Sequence, residues 1–210
     1  MEKFKTIVEN ASSEIEEKKS RFIANIFYIE SIEEAEEIIK SIRKQYYDAR
    51  HHCYAYRVIE NDGVKEKQSD DGEPSGTAGA PMLNILIKNE LYNVLVIVTR
   101  YFGGTLLGTG GLVRAYSEAT LEGLKKSEIA IQELGEELEV TISYKDLEKF
   151  KYYCRKNKIR ITNIAYDTNI ICRIELNCKE KQKLLDKDQK DIQILDNIVL
   201  TEKYIRLKLE

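Results

Sequence analysis

The stretch VLVIVTRYFGGTLLGTGGL, residues 94–112, joins a run of β-branched residues to a segment rich in glycine. The composition of Val94 to Phe102 predicts a buried strand, and apolar residues at helical spacing predict a helix over Leu112 to Lys126. Glycine permits positive backbone angles and close approach of another molecule to the main chain. The stretch therefore predicts a specialised strand-to-helix connection within an α+β fold.

The rest of the front half supplies further elements of the same fold. Ser31 and Glu34 have the spacing of a helix start, and apolar residues from Ile32 to Tyr46 then recur at helical spacing. We expect this helix to pack its apolar face on a sheet. The other predicted elements are strands at Arg21–Ile29 and His52–Ile59 and a helix at Thr77–Ile87.

The back half predicts the element order β-α-β-β-α-β. Leu138, Val140 and Ile142 alternate with polar residues as a half-buried strand does, and residues 167–169 form a polar turn between two extended runs. The pair Asn177 and Glu180 predicts the start of a last helix. The final alternating run is Tyr204 to Leu209, and the whole order is that of a ferredoxin-like domain.

A polar segment at Ile131 to Glu137 is the one clear compositional break. It places a first domain at residues 1–133 and a second at 136–210. From Glu136 onward, 16 Lys and Arg stand against 14 Asp and Glu, so neither half has the strong basic field of a protein held on phosphates by charge alone. Any contact with nucleic acid is expected to be local.

Composition and targeting signals favour a globular protein of the cytoplasm. Hydrophobic residues make up 42% and charged residues 33% of the chain, and no apolar stretch approaches the length of a membrane span. The first ten residues lack the apolar segment of a secretory signal. The four cysteines form no CxxC pair, so we expect reduced and mostly buried thiols rather than a zinc site.

The glycine-rich segment is the first candidate site. Backbone amides and the positive end of the following helix dipole would point into it, which favours a phosphate or carboxylate. The segment lacks the lysine of a P-loop and the glycine spacing of a dinucleotide turn, and a tight crossover against the sheet is the structural alternative. The candidate anion or nucleic-acid contacts are Arg57, Arg100, Gly103, Gly104, Thr105, Gly108, Thr109, Gly110, Gly111 and Arg114.

An acidic loop, residues 68–79, is the second candidate. Asp70, Asp71 and Glu73 could hold Mg²⁺, since hard cations prefer carboxylate oxygens. The structural alternative is a turn in which Ser75 or Thr77 caps the next helix. No other cofactor and no metal site is predicted.

His51, His52 and Cys53 follow one another on a predicted strand. Because side chains alternate along a strand, His51 and Cys53 share one face while His52 faces the other, which disfavours a shared metal or catalytic site. We expect one buried imidazole and one at a binding surface. In the second domain the candidate surface on the open sheet face is Arg173, Tyr204, Arg206 and Lys208, with an ordinary solvated face as the alternative.

Three blocks in this order resemble the IMPACT family: HHCYAYR at 51–57, SDDGEPSGTAG at 69–79 and VTRYFGGTLLG at 98–108. KKSRFIA at 18–24 is similar to the opening motif of its bacterial branch, the YigZ type. The resemblance implies a first domain with the fold of ribosomal protein S5 domain 2 and a ferredoxin-like second domain. Eukaryotic relatives regulate translation, but they carry an additional N-terminal partner-binding domain that these motifs do not represent.

Three functional hypotheses follow. The first is a non-enzymatic regulator or accessory factor of translation that binds RNA or a ribosomal surface through the glycine-rich segment. The second is a Mg²⁺-dependent enzyme that acts on a phosphorylated small molecule or nucleotide at the same segment. The third is a module that binds a protein partner in translation control. The sequence leaves the oligomeric state and the identity of the RNA or partner open.

Overall fold

The computed structural model describes residues 3–60, 62–186 and 192–208, with only the backbone for 203, 204 and 206–208. The chain divides into two compact units, which comprise mainly Phe4–Ile131 and Gln132–Leu207. Both mix helices with antiparallel sheets, so the α+β class predicted from the sequence is confirmed. Within the described part, no helix is both long and apolar enough to span a bilayer.

The strands and helices alternate along the whole chain. In chain order they are β1 (Lys3–Ile7), β2 (Ala11–Glu17), β3 (Ser20–Tyr28), α1 (Ile32–Gln45), β4 (His51–Glu60), β5 (Gly63–Ser69), α2 (Gly79–Lys88), β6 (Val94–Tyr101), α3 (Gly108–Lys126), β7 (Ile129–Ile142), α4 (Leu147–Lys156), β8 (Arg160–Tyr166), β9 (Ile170–Asn177), α5 (Cys178–Leu185) and β10 (Ile194–Lys208).

The first unit is a sheet covered by helices on both faces. Its strand order is β2-β3-β6-β4-β5, and every neighbouring pair is antiparallel. Alternate residues of the central strand β6 enter different cores: Val96 and Val98 pack with α2 and α3, whereas Leu95 and Ile97 pack with α1. This explains why β6 is apolar without alternation, as the sequence indicated.

Helix α1 begins where the sequence predicted. The Ser31 hydroxyl accepts a hydrogen bond from the Glu34 backbone N–H at 3.1 Å, which satisfies one free donor of the first turn. Ala35, Ile39 and Ile42 are buried on the face toward the sheet. The predicted amphipathic packing is confirmed.

The second unit has the predicted element order. β9 lies between β7 and β8, and β7 also pairs with β10. The hairpin turn is closed by a hydrogen bond from the Asp167 N–H to the Asn169 carbonyl. Asn177 and Glu180 form a complete capping box at α5, as predicted. All four cysteines are free thiols, and three of them, Cys53, Cys154 and Cys172, are buried.

Two expectations about local structure were wrong. Helix α3 begins at Gly108 rather than Leu112, so half of the glycine-rich segment is its first turn. Neither Ser75 nor Thr77 caps α2; the Thr77 hydroxyl donates to the Pro74 carbonyl instead.

Candidate functional site

The antiparallel sheet gathers distant segments at one end. Arg100, near the end of β6, pairs with His51 at the start of β4 and with Phe22 near the start of β3. Ser20 begins β3, and the acidic loop follows β5 at the same end. Four motifs that are up to about eighty residues apart in sequence therefore meet at one edge of the fold.

A buried ion pair holds these segments together. The Arg100 Nη1 donates to the Glu73 Oε1 at 2.6 Å, and the two side chains are only 7% and 4% exposed. The Tyr116 hydroxyl donates to the same carboxylate oxygen at 2.8 Å, and Arg100 Nη2 lies 3.3 Å from the Ser20 hydroxyl. Because each charge is desolvated, loss of either partner would leave the other uncompensated.

One nitrogen of the Arg100 guanidinium has no described partner. Its guanidinium lies over the rings of Phe22 and Phe102 at 5.4 and 5.6 Å from their centroids. Its Nε is buried and has no acceptor within the described residues.

Cys53 belongs to the same buried network. Its Sγ lies 2.9 Å from the Asp70 carbonyl oxygen and 3.3 Å from the Tyr116 hydroxyl. Burial raises the pKa of the thiol to about 12, and burial likewise raises the pKa of the Tyr116 hydroxyl far above its usual value. Both groups stay neutral at physiological pH, so the geometry does not support thiolate chemistry.

The three carboxylates of the acidic loop point to different partners. Asp70 accepts hydrogen bonds from the backbone N–H groups of Gly76, Ala78 and Gly79, and so caps α2. Burial alone would raise its pKa, but these three donors hold the pKa below its usual value. Asp71 accepts from Arg43 and from the His52 N–H, and Glu73 pairs with Arg100.

Each carboxylate is thus committed to a structural partner. Within the described ranges, no three His, Cys, Asp or Glu residues are grouped so that they could hold a metal. Asp70, Asp71 and Glu73 therefore do not converge on one point, which disfavours the alternative in which they hold Mg²⁺ together. The physical reason is that the loop uses its charges to close itself onto α2, β4 and β6.

The two histidines lie on different faces, as strand alternation predicted. His51 Nδ1 lies 2.8 Å from the Asp71 carbonyl oxygen, and the side chain lines an open cleft. His52 is buried, and its Nε2 lies 3.1 Å from the Tyr46 carbonyl oxygen. His51 is thus placed at the surface and His52 in the interior.

The cleft beside His51 is the candidate binding site. It has a volume of about 380 Å³ and combines cationic and apolar side chains with the start of α3. It is lined by Arg50, His51, Glu73, Pro74, Arg100, Phe102, Leu106, Leu107, Gly108, Thr109 and Leu112. No side chain caps α3, so the first N–H groups of this helix have no side-chain acceptor.

The glycine-rich segment is largely open. Gly104, Thr105, Leu106 and residues 108–110 are exposed. The Gly103 N–H alone is engaged by a described side chain, the Ser20 hydroxyl at 3.2 Å. Arg114 is exposed, and its guanidinium lies 3.9 Å from where a Cβ on Gly110 would stand. The segment thus presents backbone donors and one cation to solvent.

Other predicted site residues lie elsewhere. Arg57 does not border the segment: it pairs with Val94 at the opposite end of β6, and its side chain binds Glu66 and the Leu91 carbonyl. It is buried beneath Tyr92, so it cannot contact a surface ligand.

In the second unit, Arg173 donates to Glu139 at 3.1 Å, so its charge is partly neutralised. The side chains of Tyr204, Arg206 and Lys208 lie outside the described residues.

Sequence reasoning missed several residues of this end of the fold. Arg50 and Tyr116 gave no motif signal, because one lies in a bend and the other looked like an ordinary core residue of α3. Lys18 and Lys19 gave a signal only as part of a motif. They form the two-residue turn between β2 and β3, and Gly103 packs directly against the Lys19 backbone.

His52 predicts a dependence of stability on pH. Burial is the main cause that lowers its pKa from the ordinary 6.5, with a smaller opposing contribution from the Tyr46 carbonyl. Below the ordinary pKa the unfolded chain binds the proton more readily than the folded chain, so stability falls as pH falls through that range. Urea unfolding at about pH 7.5 and about pH 5.5 should show this loss, and His52→Gln should reduce it. An unchanged pH slope in the variant would contradict the assignment.

Comparisons with known proteins show which family the chain resembles. The Impact N-terminal domain model matches residues 18–124, the range that contains the cleft. The IMPACT family member YvyE of Bacillus subtilis is 40% identical over 177 residues, which are 84% of this chain and 80% of that protein. The IMPACT family member YigZ of Escherichia coli is 34% identical over 183 residues, 85% of this chain and 90% of that protein.

A crystal structure of a hypothetical protein matches with a TM-score of 0.61 and 31% identity, and the match covers 92% of this chain and 97% of that one. The similarity of the three sequence blocks to a known family is thereby confirmed: the chain belongs to the IMPACT family.

Proposed function

We propose that the protein is a non-enzymatic regulator or accessory factor of translation in the cytoplasm, which binds RNA, including ribosomal RNA at a ribosomal surface. Membership of the IMPACT family supports a role in translation, since the eukaryotic members of this family regulate translation. The contact we propose is the segment surface, defined as Lys18, Lys19, Arg50, Arg114 and residues 103–111.

The observation that carries the proposal is a group of uncompensated positive charges around open amides. Lys18, Lys19, Arg50 and Arg114 form no ion pair with any of the residues described, although the chain as a whole has a net charge of -3. The free amides at the start of α3 add the positive end of a 19-residue helix dipole. Phosphate groups are the ligands that such a combination favours.

We also propose a known fold for each of the two units. In the second unit, α4 joins β7 to β8 and α5 stands between β9 and β10, while the sheet places β9 between β7 and β8 and pairs β10 with β7. This arrangement supports a ferredoxin-like fold. For the first unit, family membership supports the fold of ribosomal protein S5 domain 2.

The backbone conformation of Lys18 and Lys19 supports a role for their charged side chains in binding. Both residues have positive φ, 47° and 67°, in a two-residue hairpin turn that favours Asn-Gly. A lysine in this conformation costs about 1 kcal/mol relative to glycine. Strain of this kind at an exposed turn is expected where the side chains themselves are needed.

The pair of substitutions Lys18→Asn and Lys19→Gly tests this directly. We expect the free energy of unfolding to rise by about 1 kcal/mol, because the new residues suit the turn. Binding to RNA should weaken, and the slope of log K against log salt should fall by about one for each phosphate that the variant no longer binds. Fluorescence polarisation with a labelled single-stranded RNA measures both affinity and slope.

Lys88→Asn is the matched control, because it removes an exposed positive charge at the far end of α2. It should leave the RNA affinity unchanged. Co-sedimentation of the wild-type chain with ribosomes at about 50 mM and about 200 mM salt tests the proposed role in translation. Absence of the protein from the ribosomal pellet even at the lower salt would count against a role in translation.

A further inference from the structure

Helix α4 and strand β8 carry the most basic stretch of the chain. Between Tyr144 and Tyr166 there are seven Lys and Arg residues against two acidic ones, in a chain whose net charge is -3. Only one of the two acidic side chains, Glu148, is exposed, and it pairs with Lys151 at 3.0 Å. The other, Asp146, is buried and accepts a hydrogen bond from the Ser143 hydroxyl.

Most of the positive charges have no acidic partner. Lys145, Lys149, Arg155 and Lys156 are exposed, and none of them forms an ion pair in the part of the chain that is described. Lys149 and Lys156 are seven residues apart on α4, so they lie on one stripe of the helix. These four cationic side chains therefore keep their charge without a described acidic partner.

Exposed tyrosines are interleaved with these charges. Tyr144, Tyr152 and Tyr166 are 55%, 61% and 62% exposed, so their rings are accessible from solvent. Tyr152 lies between Lys149 and Lys156 on the same stripe of α4. The Tyr144 hydroxyl donates to the Asp167 carbonyl at 2.7 Å, which fixes the ring beside the hairpin that follows Tyr166.

An open groove runs along this region. It has a volume of about 660 Å³ and is lined by Glu148, Lys151 and Arg155 of α4 and by Ile161, Thr162, Asn163 and Ile164 of β8. β8 is the last strand in the sheet order within the described residues, so its outer side adjoins the groove. The groove is open to solvent rather than enclosed, which suits a polymer that lies along the surface better than a buried small molecule.

We propose that this α4–β8 surface, defined as Tyr144, Lys145, Lys149, Tyr152, Arg155, Lys156 and Tyr166, binds single-stranded RNA. Lys and Arg would contact phosphates, while the tyrosine rings offer faces on which unpaired bases stack. Base pairing hides those faces in a duplex, so the exposed tyrosines select the single strand. The inference rests on the proposed function in that RNA is the ligand, and it adds a second contact surface in the second unit.

Two double variants of the full-length chain test the surface. Lys149→Gln with Lys156→Gln should lower the affinity for a labelled single strand of about 12 nucleotides by about tenfold and reduce the salt slope. Tyr152→Ala with Tyr166→Ala should lower that affinity by about tenfold or more but leave the salt slope unchanged, because stacking releases few counterions. Affinity for a duplex of the same sequence should not depend on the tyrosines.

The matched control is Lys179→Gln with Lys183→Gln, which removes two exposed charges from α5 in the same unit. If the α4 double variant binds RNA as tightly as this control, the inference is overturned. Equal effects of the tyrosine variant on single strand and duplex would also overturn it. So would tighter binding of the wild-type chain to an acidic peptide or to anionic lipid vesicles than to RNA.

The two proposals fail in different ways. If RNA affinity depends on Lys18 and Lys19 but on none of the α4–β8 residues, the α4–β8 inference fails and the proposed function stands. If RNA binds at the α4–β8 surface while the protein never pellets with ribosomes, the proposed role in translation fails and the α4–β8 inference stands.

Discussion

Arg100→Met is expected to lower the free energy of unfolding by about 3–5 kcal/mol, because it leaves Glu73 as an unpaired charge in the interior. Glu73 would also retain only the Tyr116 hydroxyl as a partner for its Oε1. Urea unfolding followed by circular dichroism measures the loss. Tyrosine fluorescence is a second probe, since the chain has 13 tyrosines and no tryptophan.

Two further variants separate the charge from the packing. Combining Arg100→Met with Glu73→Leu should recover much of the lost stability, since apolar residues often replace a buried pair at little cost. Arg114→Met, at an exposed position, should change stability by no more than about 0.5 kcal/mol. If Arg100→Met were as mild as Arg114→Met, the buried pair would not be what holds the segments together.

Gly103→Ala is expected to destabilise the first unit by about 3 kcal/mol or more. A Cβ at this position would stand 2.0 Å from the backbone carbon and oxygen of Lys19, so the β2–β3 turn would have to move. The same movement would displace Ser20, which bridges Gly103 and Arg100. Thermal unfolding together with RNA affinity should therefore show both losses.

Gly104→Ala is the matched comparison. Its Cβ would meet nothing within 4 Å, and only the positive φ of 84° opposes the change. We expect a cost of about 1 kcal/mol, from backbone conformation alone. A similar loss at Gly103 and Gly104 would show that close packing against Lys19 is not the reason for glycine at 103.

The elements with strong local signals were predictable from the sequence. The cap at Ser31, the apolar strand β6 and the hairpin at 167–169 each follow from a few neighbouring residues. The polar strands β2 and β5 were missed because they are the outer strands of their sheet. Their sequences, ASSEIEE and GVKEKQS, become strands through pairing with β3 and β4 and not through their own propensity.

The glycine-rich segment of the candidate site was predictable from the sequence, but the contacts between its side chains were not. The high glycine content identified this segment in the sequence, and the structure leaves most of it exposed. Whether Arg57 or Arg100 reaches it depends on the position of each along paired strands, which no local pattern encodes. The pairing of Arg100 with Glu73, 27 residues away, likewise depends on the path of the acidic loop.

The burial of three of the four thiols gives the chain a built-in reporter. Burial raises the pKa of Cys53 and Cys154 to about 12, so both resist alkylation while their cores are closed. Cys178, at the start of α5, is the exposed thiol. A maleimide dye should therefore attach once per native molecule, at Cys178. Slower labelling of the buried thiols would then measure the rate at which each core opens.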